Sequence, residues 1–251
     1  MGVRRLDNHL VALGLFETRS RARDAIVRGT VLVDGRTNSK PGTMVARDTV
    51  IEVSDPAAGY VSRAALKLIK ALDHFELDPS ERTALDVGAS TGGFTQVLLE
   101  RGAAHVFALD VGSGQLHEKL RQDGRVTNLE GVNARDLDIT EDGPLSGSSI
   151  TAIVSDVSFI SLRLALPKAL DFAAHGAFAA LLVKPQFEVG RGHIGKGGLV
   201  TDSALAEATA ERLSEWLDAQ QGWRSLGLAP SPITGSDGNT EFLLGGMKDR
   251  R

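Results

Sequence analysis

The densest chemical information in the chain lies in one run, Leu85-Asp86-Val87-Gly88-Ala89-Ser90-Thr91-Gly92-Gly93-Phe94-Thr95. An apolar strand ends there in a glycine-rich loop that opens onto a helix. Glycine is needed where the backbone turns tightly and approaches a ligand with no Cβ in the way. In parallel α/β sheets the crevice beyond the carboxyl ends of the strands is where nucleotides lie. The spacing Gly88-x-x-x-Gly92-Gly93 differs from G-x-G-x-x-G, and no Gly-Lys-Ser/Thr follows, so dinucleotide and P-loop readings are weak. Asp110 closes the next apolar strand, where a carboxylate can accept both hydroxyls of a ribose; the plainer alternative is a turn or N-cap aspartate. Asp156 follows Ala152-Ile153-Val154-Ser155, and Lys184 follows Leu181-Leu182-Val183. Taken singly, each reads as a solvated strand end. Lysine works as a base only when desolvation or a neighbouring cation lowers its proton affinity.

The acid two residues before Gly88 resembles motif I of S-adenosylmethionine methyltransferases. That resemblance implies Asp86 as partner of the cofactor's ammonium, directly or through water. It implies a loop of Gly88, Ser90, Gly92, Gly93 and Phe94 around the cofactor, and Asp110 on its ribose. Asn133, in Asn133-Ala134-Arg135-Asp136, falls where such enzymes contact adenine, against the alternative of a plain loop residue. Lys67, Asp156, Lys184 and Glu241 together resemble the tetrad of FtsJ-type 2′-O-ribose methyltransferases. A ribose hydroxyl is a poor nucleophile, so a base must take its proton as it attacks the methyl-sulfonium. Lys184 is then the base, oriented by Asp156, with Glu241 holding Lys67 or the ribose. The sulfonium is already an activated leaving group, so no metal is expected.

Longer stretches narrow the resemblance: Tyr60-Val61-Ser62-Arg63, Asp110-Val111-Gly112, Asp156-x-Ser158-Phe159-Ile160-Ser161-Leu162, Val183-Lys184-Pro185-Gln186-Phe187-Glu188 and Gly238-Asn239-x-Glu241. With the glycine run they resemble the TlyA (haemolysin A) family of ribosomal RNA cytidine 2′-O-methyltransferases over nearly the whole chain. Departures are Ala64-Ala65 in place of a pair containing glycine, and Tyr60 near the place of a tryptophan found in some members. The resemblance implies cytidine in rRNA, inside ribosomal subunits, as the substrate. Longer members, extended at their ends, look able to modify both subunits. Here the chain ends shortly after Glu241 and Gly245-Gly246 would break a helix, so the large subunit is the expected preference.

The elements that must position these residues follow from periodicity. Thr83–Val87, His105–Leu109, Thr151–Ser155 and Ala177–Val183 read as strands, alternating with helices over Gln96–Arg101, Leu162–Phe172 and Leu205–Gln220. Arg224–Leu228 and Glu241–Leu244 read as tail strands. The pattern predicts a Rossmann-like α/β methyltransferase domain over residues 62–251. Ahead of it, Leu6, Leu10 and Leu13 mark a helix that Gly14 can cap, and Ser20 can start a second. Val31 and Val33 precede the hairpin signal Asp34-Gly35, and Met44-Val45 and Val50–Val53 return. This order resembles the α+β S4 RNA-binding fold, predicted for residues 1–54, with 55–61 as linker.

Charge agrees with that division. Residues 1–70 carry twelve Lys/Arg against seven Asp/Glu, a net +5, leaving −9 for the remainder of a chain of net charge −4. A basic front end on an acidic body suggests a local polyanion contact, although a solvated helix face explains the charge equally well. The expected RNA contacts are Arg4, Arg5, Arg19, Arg21, Arg23, Arg28 and Arg63, with Arg191 and Lys196 from the glycine-rich stretch Gln186–Gly198. That stretch reads as a mobile loop closing on substrate, or else as a merely flexible connection. The chain has no cysteine, which removes disulfides and thiolate chemistry and suits a reducing cytoplasm. No apolar run reaches the ~18 residues of a membrane span, and no secretory signal opens the chain. The haemolysin name keeps a membrane-lytic protein as a rival, and a non-catalytic ribosome-binding factor is another. All four tetrad side chains argue against the latter. An S4-containing pseudouridine synthase would need no cofactor loop.

Overall fold

The computed structural model describes residues 2–235 and 237–250, and of Arg191 the backbone only. Two compact units divide the chain, Met1–Gly59 and Tyr60–Arg251. In the first, β1 (Val3–Arg5) leads into α1 (Leu6–Ala12), followed by α2 (Arg19–Val27), β2 (Val31–Val33), β3 (Arg36–Thr37), β4 (Met44–Ala46) and β5 (Ile51–Val53). Leu6 and Leu10, one turn apart, bury against Ala22, Ala25 and Ile26. Leu13 leaves that face because α1 has ended, and it is exposed. Thr18, not Ser20, caps α2: its backbone is extended and its Oγ1 accepts from the Arg21 N–H at 3.3 Å.

Asp34 and Gly35 both have positive φ, 49° and 74°, as a two-residue hairpin turn of the primed type requires. They pair Leu32 with Thr37. The returning strands separate: β5 pairs with β2, whereas β4 pairs with β1 in its own small sheet. The start of the expected linker, 55–61, is fastened to this unit together with Ser54 before it. The Ser54 N–H donates to Thr30 O at 2.9 Å and Arg28 Nη2 meets Asp55 Oδ2 at 2.5 Å. Proline and small residues end the periodicity there, but the Ser54 backbone, the Asp55 carboxylate and the Ala58 carbonyl, which accepts from Arg21 at 3.3 Å, supply the attachment.

The second unit contains α3 (Ala65–His74), β6 (Thr83–Val87), α4 (Gly93–Glu100), β7 (His105–Asp110), α5 (Glu118–Arg121), β8 (Val126–Glu130), β9 (Ala152–Ser155), α6 (Leu162–Ala165), α7 (Pro167–Phe172), β10 (Phe178–Val183), α8 (Ser203–Asp218), β11 (Arg224–Pro230) and β12 (Phe242–Met247). Its seven-stranded sheet has the order β11-β12-β10-β9-β6-β7-β8. Five strands are parallel, and β12 runs antiparallel between β10 and β11. Apolar side chains of alternate strand residues fill a separate core on each face. The expected helix Leu162–Phe172 breaks at Leu166, because Pro167 has no N–H to donate to the preceding turn and begins a new helix instead. Gly245 and Gly246 lie inside β12 and end no helix. A Cβ on Gly245 would stand 2.6 Å from the Phe75 ring, and one on Gly246 2.7 Å from Leu217 Cδ2. Close packing on both faces of the sheet requires glycine there.

The topology fixes where chemistry can happen. β6, β7, β9 and β10 all end at one edge, and β12 starts there, with Phe242 opposite Val183. Glu241 therefore arrives beside Lys184 despite the sequence between them.

Candidate active site

Lys67 sits in the first turn of α3, Asp156 and Lys184 follow β9 and β10, and Glu241 precedes β12. The four side chains line one cleft of about 410 Å³. Lys184 Nζ lies 2.6 Å from Asp156 Oδ1, Lys67 Nζ 4.0 Å from Asp156 Oδ2, and Lys67 Nζ 2.6 Å from Glu241 Oε2. They form a row of alternating charge in which Lys67, Lys184 and Glu241 are buried and Asp156 nearly so. The two 2.6 Å approaches are ion-pair contacts out of hydrogen-bond alignment, since Asp156 Oδ1 and Glu241 Oε2 have no aligned donor. Lys184 instead donates to Ser158 Oγ at 2.7 Å. Removing one member of such a buried set strands the charge of its neighbour. Gly235 makes room for the row, since a Cβ there would come within 2.8 Å of Glu241 Oε1.

A second cleft of about 370 Å³ adjoins the first, with Gly88, Ser90, Asp156, Ser158 and Phe159 lining both. Its walls are largely apolar, from Val87, Leu109, Val111, Val132 and Ile160, and Asp110 and Asn133 project polar groups into it. Asp110 Oδ2 accepts from the Ser90 N–H at 2.8 Å and Oδ1 from the Gly112 N–H at 2.7 Å. Each oxygen keeps a further lone pair for a ribose hydroxyl. Asn133 Oδ1 accepts from the Arg135 N–H at 3.1 Å, leaving the amide nitrogen to a ligand. Glu130, at the end of β8, accepts from the N–H groups of Gly114, Gln115 and Leu116, and these bonds hold its carboxyl down at about 2. β8 was not foreseen because Val126–Glu130 is a half-polar edge strand, but Glu130 shapes the loop on which Gln115 faces the cofactor cleft.

The glycine loop divides in role. Gly88 and Ser90 line both clefts, and Gly93 and Phe94 line the first. Gly92 lines neither: φ is 96°, and a Cβ would stand 2.2 Å from Leu120 Cδ1, so its glycine serves packing against α5. Asp86 also lines neither cleft. Strand alternation turns it toward α4, where its Oδ2 accepts from Thr95 Oγ1 at 2.7 Å, wholly buried beneath the loop. Asp86, expected on the cofactor's ammonium directly or through water, thus stands behind the cleft wall, with the loop between. Burial pushes its carboxyl up to about 7, against the Thr95 hydrogen bond that lowers it, with the charges of Asp156 and Asp110 adding to the rise. Its Oδ1 is buried without a donor. A cleft with apolar walls, a ribose-ready carboxylate and two more carboxylates nearby fits a cationic adenosine derivative such as S-adenosylmethionine.

Around the clefts lie residues to which the sequence reading gave no role. Phe159 is 90% exposed with φ of 65°, its ring 5.1 Å from that of Phe187. Glu188 accepts from Ser161 Oγ at 2.6 Å and the Leu162 N–H at 2.8 Å, joining the turns that follow β9 and β10; burial raises its carboxyl. Asn239, buried, accepts from the Val200 N–H at 2.9 Å and donates to Gly198 O at 3.0 Å. The far end of the glycine-rich stretch is thus pinned to the segment carrying Glu241, not loose. All three residues stand in stretches conspicuous for their composition, but only the three-dimensional partners show what they touch.

The expected RNA contacts are sorted by their partners. Arg5 and Arg19 reach the buried Asp7 at 2.9 and 3.0 Å, and the Arg5 hydrogen bond leads in holding its carboxyl down at about 2. Arg21 meets Glu17 at 3.1 Å. Arg28, only 17% exposed in its side chain, pairs with Asp55 and is a structural group, contrary to expectation. Arg4 and Arg23 are exposed with no such partner among the described residues, as are Arg36, Lys40 and Arg47, to which the sequence gave no role. Arg63 lines the tetrad cleft and Lys196 is exposed on the glycine-rich stretch; the Arg191 side chain lies outside the described residues. Among the described residues no helix is long and apolar enough to cross a membrane, and no group of three or more His, Asp or Glu is arranged to hold a metal.

A Rossmann-like sheet with an adenosine-shaped cleft opening onto a buried lysine–carboxylate row defines an S-adenosylmethionine-dependent methyltransferase. The FtsJ-like methyltransferase model matches residues 60–248, and the S4 domain model residues 4–51. The chain belongs to the TlyA family of FtsJ-like methyltransferases. It is 45% identical to the 16S/23S rRNA (cytidine-2′-O)-methyltransferase TlyA of Mycobacterium tuberculosis, over 96% of this chain and 88% of that one. It is 40% identical to the 23S rRNA (cytidine-2′-O)-methyltransferase TlyA of Campylobacter jejuni, over 73% and 69% of the two chains. A solved structure from Streptococcus thermophilus that carries a hemolysin name superposes with a TM-score of 0.75 at 39% identity, covering 100% of this chain and 90% of that one.

Proposed function

We propose that the protein methylates the ribose 2′-hydroxyl of a cytidine in ribosomal RNA, with large-subunit RNA preferred. The observation that carries this reading is the convergence of Lys67, Asp156, Lys184 and Glu241 in one cleft that shares its border with the cofactor cleft. S-adenosylmethionine, when bound, supplies a methyl group on a positively charged sulfur that needs no further activation and no metal. Lys184 takes the proton of the attacking hydroxyl. Asp156 orients Lys184 and balances the charge it gains, Lys67 is the second cation beside Asp156, and Glu241 holds Lys67 in place. Asp110 receives the cofactor ribose, Asn133 the adenine, and Gly88, Ser90, Gly93 and Phe94 enclose the rest. Asp86 acts through the loop it underlies.

Cytidine as the target is supported by the names of both relatives, and large-subunit RNA by its presence in both. The exposed Arg4 and Arg23 of the N-terminal unit, and Lys196 of the second, are the phosphate contacts of this reading, which places the protein with ribosomal subunits in the cytoplasm. Incubation with methyl-labelled S-adenosylmethionine and separated subunits tests it. Label should enter large-subunit RNA in preference to small. Equal labelling would remove the subunit preference, and absence of label from both would remove the reading.

A further inference from the structure

The border shared by the two clefts is formed by Gly88, Ser90, Asp156, Ser158 and Phe159. A methyl group held on one side and a ribose oxygen offered on the other must meet at such a border, so its protonatable side chains matter most. Ser90 is turned to the cofactor side, where its hydroxyl donates to Gln115 Oε1 at 3.0 Å. Asp156 faces two lysines. Ser158 faces one: its Oγ accepts from Lys184 Nζ at 2.7 Å. That is the only short, aligned hydrogen bond of Lys184 among the described residues, since Asp156 Oδ1 approaches out of alignment and the Asp156 carbonyl oxygen is 3.5 Å away. The backbone holds Ser158 there at some cost. Phe159 follows it with φ of 65°, and Ser161 and Leu162 are fixed by Glu188. A left-handed aromatic residue persists only where its surroundings over-determine it.

We propose that Ser158 is a catalytic residue that relays the substrate proton to Lys184, a proposal that rests on Lys184 being the base. A serine hydroxyl is donor and acceptor at once. It accepts from Lys184 when the lysine is charged. When the lysine is neutral, the hydroxyl turns and donates to the nitrogen lone pair, presenting its own oxygen to the border. In the transfer, Ser158 Oγ takes the proton of the 2′-hydroxyl while its own proton passes to Lys184 Nζ. The ribose oxygen bonds to the methyl carbon as the carbon–sulfur bond breaks and its electron pair stays on sulfur. Ser158 ends as a hydroxyl, Lys184 as an ammonium, and the positive charge lost from sulfur reappears on the lysine.

Single-turnover transfer to rRNA by the full chain, measured in mixtures of light and heavy water, tests the relay, with cofactor affinity followed by calorimetry. Ser158→Ala should slow transfer by roughly 10²-fold, the lower end for a proton-transfer group, with cofactor affinity retained. Ser158→Thr, which keeps a hydroxyl, should recover most of the rate. The wild-type rate should curve with deuterium fraction, as two moving protons require, and become linear in Ser158→Ala. A linear wild-type response overturns the relay, as does a fast Ser158→Ala beside an inactive Lys184→Ala. An active Lys184→Ala overturns the relay together with the base on which it rests.

Discussion

In the N-terminal unit Arg5 and Arg19 converge on Asp7 and Arg28 on Asp55, whereas in the second unit Lys67 and Lys184 converge on Asp156 and Glu241. Both regions set cations against buried carboxylates, but only one does so beside a cleft. The arginine clusters are closed: Asp7 is enclosed by its partners and helix α1, and Asp55 fastens the segment that leaves the unit. The lysine row is open, lining a cavity of about 410 Å³ in which a substrate can complete its contacts. A buried ion pair is therefore no mark of function until the space next to it is known. Guanidiniums, permanently charged, suit the closed role; a lysine, whose proton affinity shifts readily, suits the open one.

The comparison breaks most visibly at Lys184. Lys184→Ala should lower methyl transfer by roughly 10²–10⁴-fold with cofactor binding little changed, read by single-turnover kinetics and calorimetry. Near-normal transfer would make the open row as structural as the arginine pairs.

Asp86 sharpens the contrast through pH. Its carboxyl stands at about 7 in the folded chain against an ordinary 3.8, so the folded state keeps a proton that the unfolded chain has released. Stability of the ligand-free protein from this group is full below about pH 4 and is lost as pH rises to about 7. At ~1.4 kcal/mol per tenfold change in proton affinity, the loss reaches about 4 kcal/mol at most. Asp86→Asn should remove this dependence, and denaturant titrations at pH 5 and 8 would detect it. Identical pH profiles for the two proteins would contradict the assignment. Asp7, held down to about 2 by its arginines, has the opposite sign: its contribution is present above about pH 4 and is lost as pH falls toward 2.

Arg28→Ala should destabilise the protein by about 3 kcal/mol, the lower range for stranding a buried charge. Arg4→Ala and Arg23→Ala should leave stability unchanged and each reduce the salt dependence of RNA binding by slightly less than one in the log–log slope. If Arg28→Ala instead alters RNA binding alone, the closed reading of that pair fails. Smaller still, Thr18→Ala should cost about 1 kcal/mol as a lost N-cap, while Ser20→Ala should be nearly neutral in thermal unfolding.

Much of the site was legible because its residues stand beside regular elements. Asp156 and Lys184 announce themselves by following apolar strands, and the glycine run by its place between strand and helix. Partners set by topology were not legible. Nothing local in Gly238-Asn239-x-Glu241 says that β12 runs antiparallel and returns Glu241 to Lys184, or that Asn239 holds Gly198 and Val200. Glycines also misled when read only as a loop former or a helix breaker: Gly92 makes way for Leu120, and Gly245 for Phe75. Charge counting failed for Arg28 for the same reason, since a basic residue and its carboxylate partner lie 27 positions apart.

The central claim is that the open row deprotonates a ribose hydroxyl. Mass spectrometry of nucleosides from rRNA treated with the wild-type protein and with Lys184→Ala tests it most directly. The account predicts cytidine methylated on its ribose from the wild type and almost none from the variant. Methyl groups found on the base, or ribose methylation undiminished in Lys184→Ala, would contradict it.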